Sequence, residues 1–155
     1  MSNTDNWLSH DHSMYEELLS QAQDAVDVED WEAAANVFAE LVWHLKSHMA
    51  MEEEVLYPAF DRQVNISDNP TEALIEEHDS IVRTLTDLSA LLKSKDPDHI
   101  LDCLARLQEL MLKHHEKEED IFLPMASLLM QGLEQELSQM LKNFNPSHTK
   151  RKWDI

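Results

Sequence analysis

The sequence predicts an all-α protein, an up-down-up-down four-helix bundle followed by a short fifth helix. The 155 residues include one Gly and five Pro, whereas the helix-favouring residues Leu, Ala, Glu, Met and Gln are abundant. Capping residues and prolines divide the chain into helical segments, and the links from the first to the second and from the third to the fourth are short. Short links place consecutive helices side by side and antiparallel, as in such a bundle.

An acidic turn separates the first two helices. The first helix is expected to begin near Ser9 and to carry apolar residues at helical spacing up to the turn at residues 27–30. Asp30 is suited to cap the second helix, because its carboxylate can accept a backbone N–H of the first turn. We expect that helix to run from residue 31 to about 62, with Pro58 removing one backbone donor near its end.

Prolines mark where the next two helices begin. Pro70 opens the third helix and Pro97 the fourth, since proline fits the first helical turn. Gly132 is suited to end the fourth helix, because glycine readily adopts the left-handed conformation of a helix terminus. The expected organisation is one domain over 1–155, with the bundle over about 8–131, an amphipathic fifth helix over 133–143 and a loose tail over 145–155.

The charge of the chain excludes several kinds of partner. Twelve Lys and Arg against 31 Asp and Glu give a net charge of −19. Such a field repels nucleic acid and anionic lipid and attracts cations. No stretch reaches the roughly 18 uncharged apolar residues that a membrane span needs, and the polar N-terminus has no signal-peptide character. We therefore expect a cytoplasmic protein that binds neither nucleic acid nor membranes.

One pattern of side chains occurs twice at a constant offset. An acidic residue and His12 precede a run over 48–58, and adding 66 to each number gives an acidic residue with His78 and a matching run over 114–124. The step from the isolated histidine to the histidine that opens the run is 36 residues in both copies. Loop lengths drift unless something fixes them, so we infer that two helical hairpins bring the same side chains to one point.

The repeated side chains are of the types that bind metal ions. Residues four apart lie on one helix face about 6 Å apart, so His48 with Glu52 presents an imidazole and a carboxylate together. His114 with Glu118 does the same in the second copy, and each of the other two helices adds one histidine. The predicted ligands of a two-metal centre are His12, His48, Glu52, His78, His114 and Glu118.

Imidazole and carboxylate donors suit iron, which we place ahead of manganese and zinc. The single cysteine, Cys103, allows no internal disulfide and is spaced as a small core residue, so a thiolate site is not expected. Taken singly, each histidine could be a buried residue that is hydrogen-bonded to a neighbour, and each run of glutamates could be a solvated helix face. Neither explains six ligand-type side chains at inward positions in register.

Positions at which the two copies differ suggest an asymmetric centre. His44 lies one turn before His48, and Glu16 one turn after His12, whereas their counterparts are apolar. One of them could be an additional ligand of one metal, or a hydrogen-bond partner of its ligands. The alternative is that both are ordinary core or surface residues. Tyr15 either donates to a bound oxygen species or packs. The histidines without a repeat partner are assigned to the surface or to contacts behind the ligands: His10, His99, His115 and His148.

The chain resembles the hemerythrin-like, or HHE cation-binding, family. The residues that carry the resemblance are Asp11 and His12, the run 48–58, Glu77 and His78, and the run 114–124. It implies an oxo- or hydroxo-bridged pair of iron ions held by the six ligands named above, with Glu52 and Glu118 as bridges. Ferritin-like di-iron proteins use Glu-x-x-His instead, and no histidine of this chain has a Glu three positions before it.

The oxygen-carrying hemerythrins differ from this chain at two positions. They have a His-x-x-x-His pair on the third helix and an Asp five residues after the last ligand histidine. Here Val82 follows His78 by four, and Glu119 follows His114 by five. The arrangement is closer to the four-His, two-Glu sites of bacterial iron-centre repair proteins and of the iron-sensing F-box protein, which argues against stable oxygen carriage.

Three classes of function remain open. The leading prediction is a non-haem di-iron protein that acts on O2, NO or peroxide. It either binds one of these molecules, or it is an enzyme that consumes one of them, such as an oxidase. The alternative is iron storage, or iron donation and iron-centre repair under oxidative or nitrosative stress, with a protein redox or iron-acceptor partner. A metal-free helical interaction protein ranks last. Nothing in the sequence defines an organic substrate pocket or an oligomeric state.

Overall fold

The computed structural model describes the backbone of residues 3–64, 69–146, 153 and 155, and the side chains of these residues except 3–10 and 134. The predicted all-α fold is confirmed, and the described residues form no strand. The helices are α1 Asn3–Asp27, α2 Trp31–Met51, α3 Tyr57–Gln63, α4 Pro70–Ser94, α5 Pro97–Lys117, α6 Leu123–Leu129 and α7 Glu134–Asn143.

Four helical arms make the bundle, because α2 continues into α3 and α5 continues into α6. Antiparallel α1 and α2 pack along their length, as do α4 and α5, while α1 also contacts α5 and α2 contacts α4. The short helix α7 packs across one end, against α1 and the segment that joins α2 to α3. None of the described helices is both long and apolar enough to span a membrane.

Most of the predicted helix boundaries are confirmed by the cap contacts. The Asp30 carboxylate accepts from the Ala33 backbone N–H (3.1 Å), and α4 begins at Pro70. Gly132, with φ of +89°, lies in the turn that follows α6. The predicted loop at 65–69 and the basic cluster at 150–152 lie outside the described residues, apart from the capping residue Asn69.

Two expectations about the termini are wrong. The first helix begins at Asn3 rather than near Ser9. The tail is not uniformly loose, since Trp153 is buried in the apolar core of the bundle. Burial of an indole removes a large apolar surface from water, which stabilises this docking of the chain end.

Two wide helical turns interrupt the long arms at equivalent positions. Residues Glu52–Leu56 and Glu118–Phe122 are π-helical, and in each the N–H after the turn donates to the carbonyl of the glutamate that begins it. Pro58 and Pro124 follow two residues later. A proline has no N–H and crowds the carbonyl four residues before it, so a turn widened by one residue removes that conflict.

The buried apolar side chains form two clusters, one on each side of the predicted ligands. The larger lies among α1, α2, α4 and α5 and includes the fully buried Leu41, Leu85 and Leu107. The smaller lies among α3, α6 and the two π-helical turns and includes Phe60 and Phe122. Cys103 belongs to the larger cluster, and its thiol donates to the carbonyl of Thr84 (3.7 Å), which confirms its role in the core.

Candidate metal centre

The structure brings the six predicted ligands together between the two apolar clusters. Each arm of the bundle contributes, and the two glutamates are the first residues of the π-helical turns. All six are buried, with exposures between 0% and 5%. They are His12 of α1, His48 of α2, Glu52 of the first π-helical turn, His78 of α4, His114 of α5 and Glu118 of the second.

Their donor atoms fall into two groups that share Glu118. Glu52, His78, His114 and Glu118 each offer an atom within 4.8 Å of the others, and so do His12, His48 and Glu118. Glu52 also spans the groups, because its Oε1 lies 3.2 Å from Nε2 of both His48 and His78. This geometry provides two adjacent positions for a cation, with carboxylates between them.

A ring of outer carboxylates holds the histidines from behind. His48 Nδ1 donates to Asp11 (2.9 Å) and His114 Nδ1 to Glu77 (3.0 Å), which are equivalent contacts in the two copies. These contacts direct the opposite nitrogen, Nε2, towards the centre.

The other two histidines also have a carboxylate beside Nδ1. His12 Nδ1 donates to Glu119 (2.9 Å), whereas His78 Nδ1 lies 3.6 Å from Glu53, which is an ion-pair distance but not a hydrogen bond. Glu53 and Glu119 are themselves related by the offset of 66. Three of the four imidazoles therefore donate to the carboxylate partner that metal-ligating histidines usually have, and the fourth lies close to one.

The inner atoms are short of partners, as a metal site requires. Among the described residues, His12 Nε2 and both carboxylate oxygens of Glu118 are buried with no partner in hydrogen-bonding geometry. Glu118 Oε1 lies 2.5 Å from His114 Nε2, close but not aligned for a hydrogen bond. A buried polar atom without a partner is costly, and a cation at this point would satisfy these atoms together.

The match to a known family agrees with this geometry. Residues 3–144 match the family model described as the hemerythrin HHE cation binding domain. The chain belongs to this family. No curated protein and no solved structure shows significant similarity to it. Hemerythrin-type HHE domains bind metal ions, typically iron, and this HHE domain places its His and Glu side chains accordingly.

Four ionisable groups at this point have shifted pKa values, three of them raised and one lowered. Burial opposes the charged imidazoles of His48 and His114, but the carboxylate four residues after each outweighs it and raises their pKa to about 10. Burial and the neighbouring Glu52 charge raise the pKa of Glu118 to about 8. Burial opposes ionisation of Glu52 as well, yet His48 and further hydrogen bonds hold its pKa well below the usual range.

Metal affinity is accordingly expected to rise with pH well above the ordinary histidine range. A group whose pKa is raised from 6.5 to about 10 stays protonated between these values, so a metal ion must displace its proton there. Apparent Zn2+ affinity should increase about tenfold per pH unit for each proton displaced. Competition with a chromogenic chelator at about pH 7 and about pH 9 measures this. An affinity that stays constant between these values would contradict the assignment.

Two residues considered as additional ligands lie outside both groups. Glu16 is exposed, and the nearest acidic partner of the half-buried His44 is Glu40, at 3.9 Å. The structure supports the packing role for Tyr15. Its ring stands edge-on to His48, and its hydroxyl donates to the carbonyl of His44 (3.2 Å).

Of the histidines without a repeat partner, one is part of the site. His115 is buried and stacks on His12, with ring centroids 3.6 Å apart, whereas the equivalent position in the first copy is Met49. Burial and then the neighbouring histidines lower its pKa to about 2, so it packs as a neutral ring. His99 is exposed, and the side chains at 10 and 148 lie outside the described residues.

Sequence reasoning missed one contact with a predicted ligand. The hydroxyl of Tyr57 donates to Glu52 Oε2 (3.2 Å), and its ring stacks beside His78. The residue at the equivalent position of the second copy is Leu123, which has no hydroxyl. The π-helical turn makes this contact by bringing residues five apart onto one face, a spacing that an α-helical pattern does not indicate.

Proposed function

We propose that this HHE domain holds two iron ions between His12, His48, Glu52, His78, His114 and Glu118, and that the pair binds or reacts with a small oxidant such as O2, NO or peroxide. The observation that carries the proposal is the shared carboxylate. Glu118 belongs to both donor groups, and Glu52 contacts a histidine of each. Adjacent groups joined by carboxylates are what a two-metal centre needs.

The donor chemistry supports iron. The groups contain only imidazole and carboxylate, and Cys103 is occupied in the core by its contact with Thr84. Histidine and carboxylate ligands with open positions are typical of non-haem iron that reacts with oxygen. Manganese and zinc accept the same donors, so the metal is to be identified by measurement.

The protein offers few donors for each ion, which leaves room for a small ligand. One group has four residues and the other three, with Glu118 counted in both. Iron bound there would supply electrons and Lewis acidity to an oxidant. The chain's own contribution is to orient the imidazoles through their outer carboxylates, and to surround the centre with buried side chains.

Anaerobic reduction followed by gas addition tests the proposal. The protein is purified without added metal, its iron is counted per chain, and the near-ultraviolet and visible spectrum is followed as O2, NO or H2O2 is admitted. We expect about two iron ions per chain and a spectral change with at least one of these oxidants. A lasting reversible band indicates carriage, and repeated consumption of the oxidant indicates an enzyme.

Two histidines on α5 provide the matched comparison. His114→Gln should lose iron and the spectral response, whereas His99→Gln should keep both, because His99 is exposed and far from the donor groups. Iron-free protein that acquires no iron on reconstitution would rule out the proposal. Transfer of its iron to an acceptor without reaction with any of the three oxidants would replace it with iron donation.

A further inference from the structure

The two copies of the site differ in what lies beyond their outer carboxylates. In the second copy the ammonium group of Lys117 lies 2.5 Å from Glu77, the carboxylate that accepts from His114. The equivalent of Lys117 in the first copy is Met51. Among the residues that the structure describes, Asp11, the equivalent of Glu77, contacts its histidine and no cationic side chain.

A surface pocket lies beside Asp11. It has a volume of about 200 Å³, and α1, α2 and the end of α7 form its walls. The residues that line it include Asp11, His44 and Tyr15, together with the apolar Met51, Leu141 and Phe144. Glu77 does not line this pocket.

The chemistry of the walls favours an organic cation. Among the described residues Asp11 bonds only to His48, and a carboxylate with further accepting capacity binds an ammonium group by charge-assisted hydrogen bonds. Leu141 and Phe144 offer apolar surface to a short hydrocarbon chain, and an aromatic face attracts a cation in addition. The net charge of −19 disfavours an anion at this surface.

We propose that this pocket binds a small primary ammonium compound, whose charged group occupies beside Asp11 the place that the Lys117 ammonium occupies beside Glu77. The apolar part of the ligand lies against Leu141 and Phe144. The internal comparison supplies the ligand class, because the same carboxylate–histidine pair is accompanied by an alkylammonium in one half of the molecule and by a pocket in the other.

Occupancy of the pocket would reach the metal centre through one hydrogen bond. Asp11 accepts from His48 Nδ1 at 2.9 Å, so a cation bound to Asp11 weakens its pull on that proton and makes His48 a poorer donor to a metal. Binding itself needs only the pocket and Asp11, so it goes beyond the proposed function and does not rest on bound iron.

Calorimetric titration of the protein as isolated, with its iron content measured on the same sample, tests the ligand class. The probes are n-butylammonium, 1-butanol and butyrate, which share a chain and differ in charge. We expect n-butylammonium to bind at least about tenfold more tightly than butanol, because its hydrogen bond to Asp11 is charge-assisted and that of the alcohol is weaker. Equal affinity for ammonium and alcohol, or preference for butyrate, would overturn the proposal.

A lysine variant places a competing ammonium group in the pocket. Met51→Lys gives the first copy the residue of the second, and it should reduce n-butylammonium affinity by at least about tenfold. Met140→Lys is the matched control: it adds the same charge at an exposed position of α7 that does not line the pocket, and it should leave the affinity unchanged. Equal losses in both variants would show a nonspecific effect of charge and refute the site.

A measurement on the wild-type protein keeps the test independent of whether Met51→Lys folds. A crystal structure with n-butylammonium should show its nitrogen within hydrogen-bond distance of Asp11 and its chain against Phe144. Density elsewhere would refute the site. The same crystals can be grown with both Mn2+ and n-butylammonium. If anomalous scattering then showed Mn2+ beside Asp11 in place of n-butylammonium, the proposal would be replaced by a metal-binding pocket. Ammonium binding by protein that acquires no iron on reconstitution would refute only the proposed di-iron function.

Discussion

Replacing Glu118 with Gln is expected to remove both metal ions, the largest single effect that the geometry predicts. Among the described residues Glu118 alone belongs to both donor groups, and it is fully buried beside Glu52. An uncharged amide cannot hold two cations together, so we expect affinity to fall by more than the 10–100-fold that loss of an outer partner typically causes. Metal content per chain, measured by mass spectrometry after purification, gives the result.

Asp120→Asn is the matched control for this change. Asp120 lies in the same π-helical turn as Glu118 but is exposed, so its substitution removes an equal charge without touching the donor groups. It should retain the wild-type metal content. If Glu118→Gln also retained both ions, or if the two variants lost metal equally, the shared-carboxylate arrangement would be wrong.

Removal of the metal is expected to lower the stability of the fold substantially. A ligand that binds only the folded state adds stabilisation that grows with its concentration relative to Kd, about 4 kcal/mol at a thousandfold excess. For a chain of this size that corresponds to a fall in Tm of about 10 °C on chelation. The carboxyl groups of Glu52 and Glu118 are buried side by side, and each charge raises the cost of ionising the other, which a bound cation would offset.

Thermal unfolding of the protein as isolated, with and without a chelator, measures this loss. Glu118→Gln supplies the control, because a variant that binds no metal should show the same Tm with and without the chelator. An equal decrease in that variant would indicate an effect of the chelator itself. An unchanged Tm in wild-type protein that has demonstrably lost its iron would show that the fold does not depend on the metal.

The helices and the clustering of the six candidate ligands were predictable because their signals are local or chemical. Asp30 accepts the backbone N–H expected of a cap, and Pro70 opens α4, since capping depends on residues within one turn of each other. The ligands were found because the same side chains recur at a constant offset. The structure brings all six together, and their role as metal ligands is what the Glu118 variant tests.

The surroundings of the ligands could not be predicted in this way. Pro58 indicated a missing donor, but whether the helix kinks or widens depends on how the whole arm packs, and here it widens into a π-helical turn that directs Tyr57 to Glu52. The sequence left His115 either at the surface or in contact behind the ligands, and the structure decides for the second, because His115 stacks on His12 from another helix.

The sequence by itself therefore determined the helical bundle, its boundaries to within a turn or two, and the chemical identity of the candidate centre. Only the tertiary structure decided the asymmetry between the two copies: Lys117 beside Glu77, and a pocket beside Asp11. The physical reason is that contacts between helices depend on their rotation and relative height. Side-chain spacing along one helix specifies which face turns inward, but not which residue of a neighbouring helix meets it.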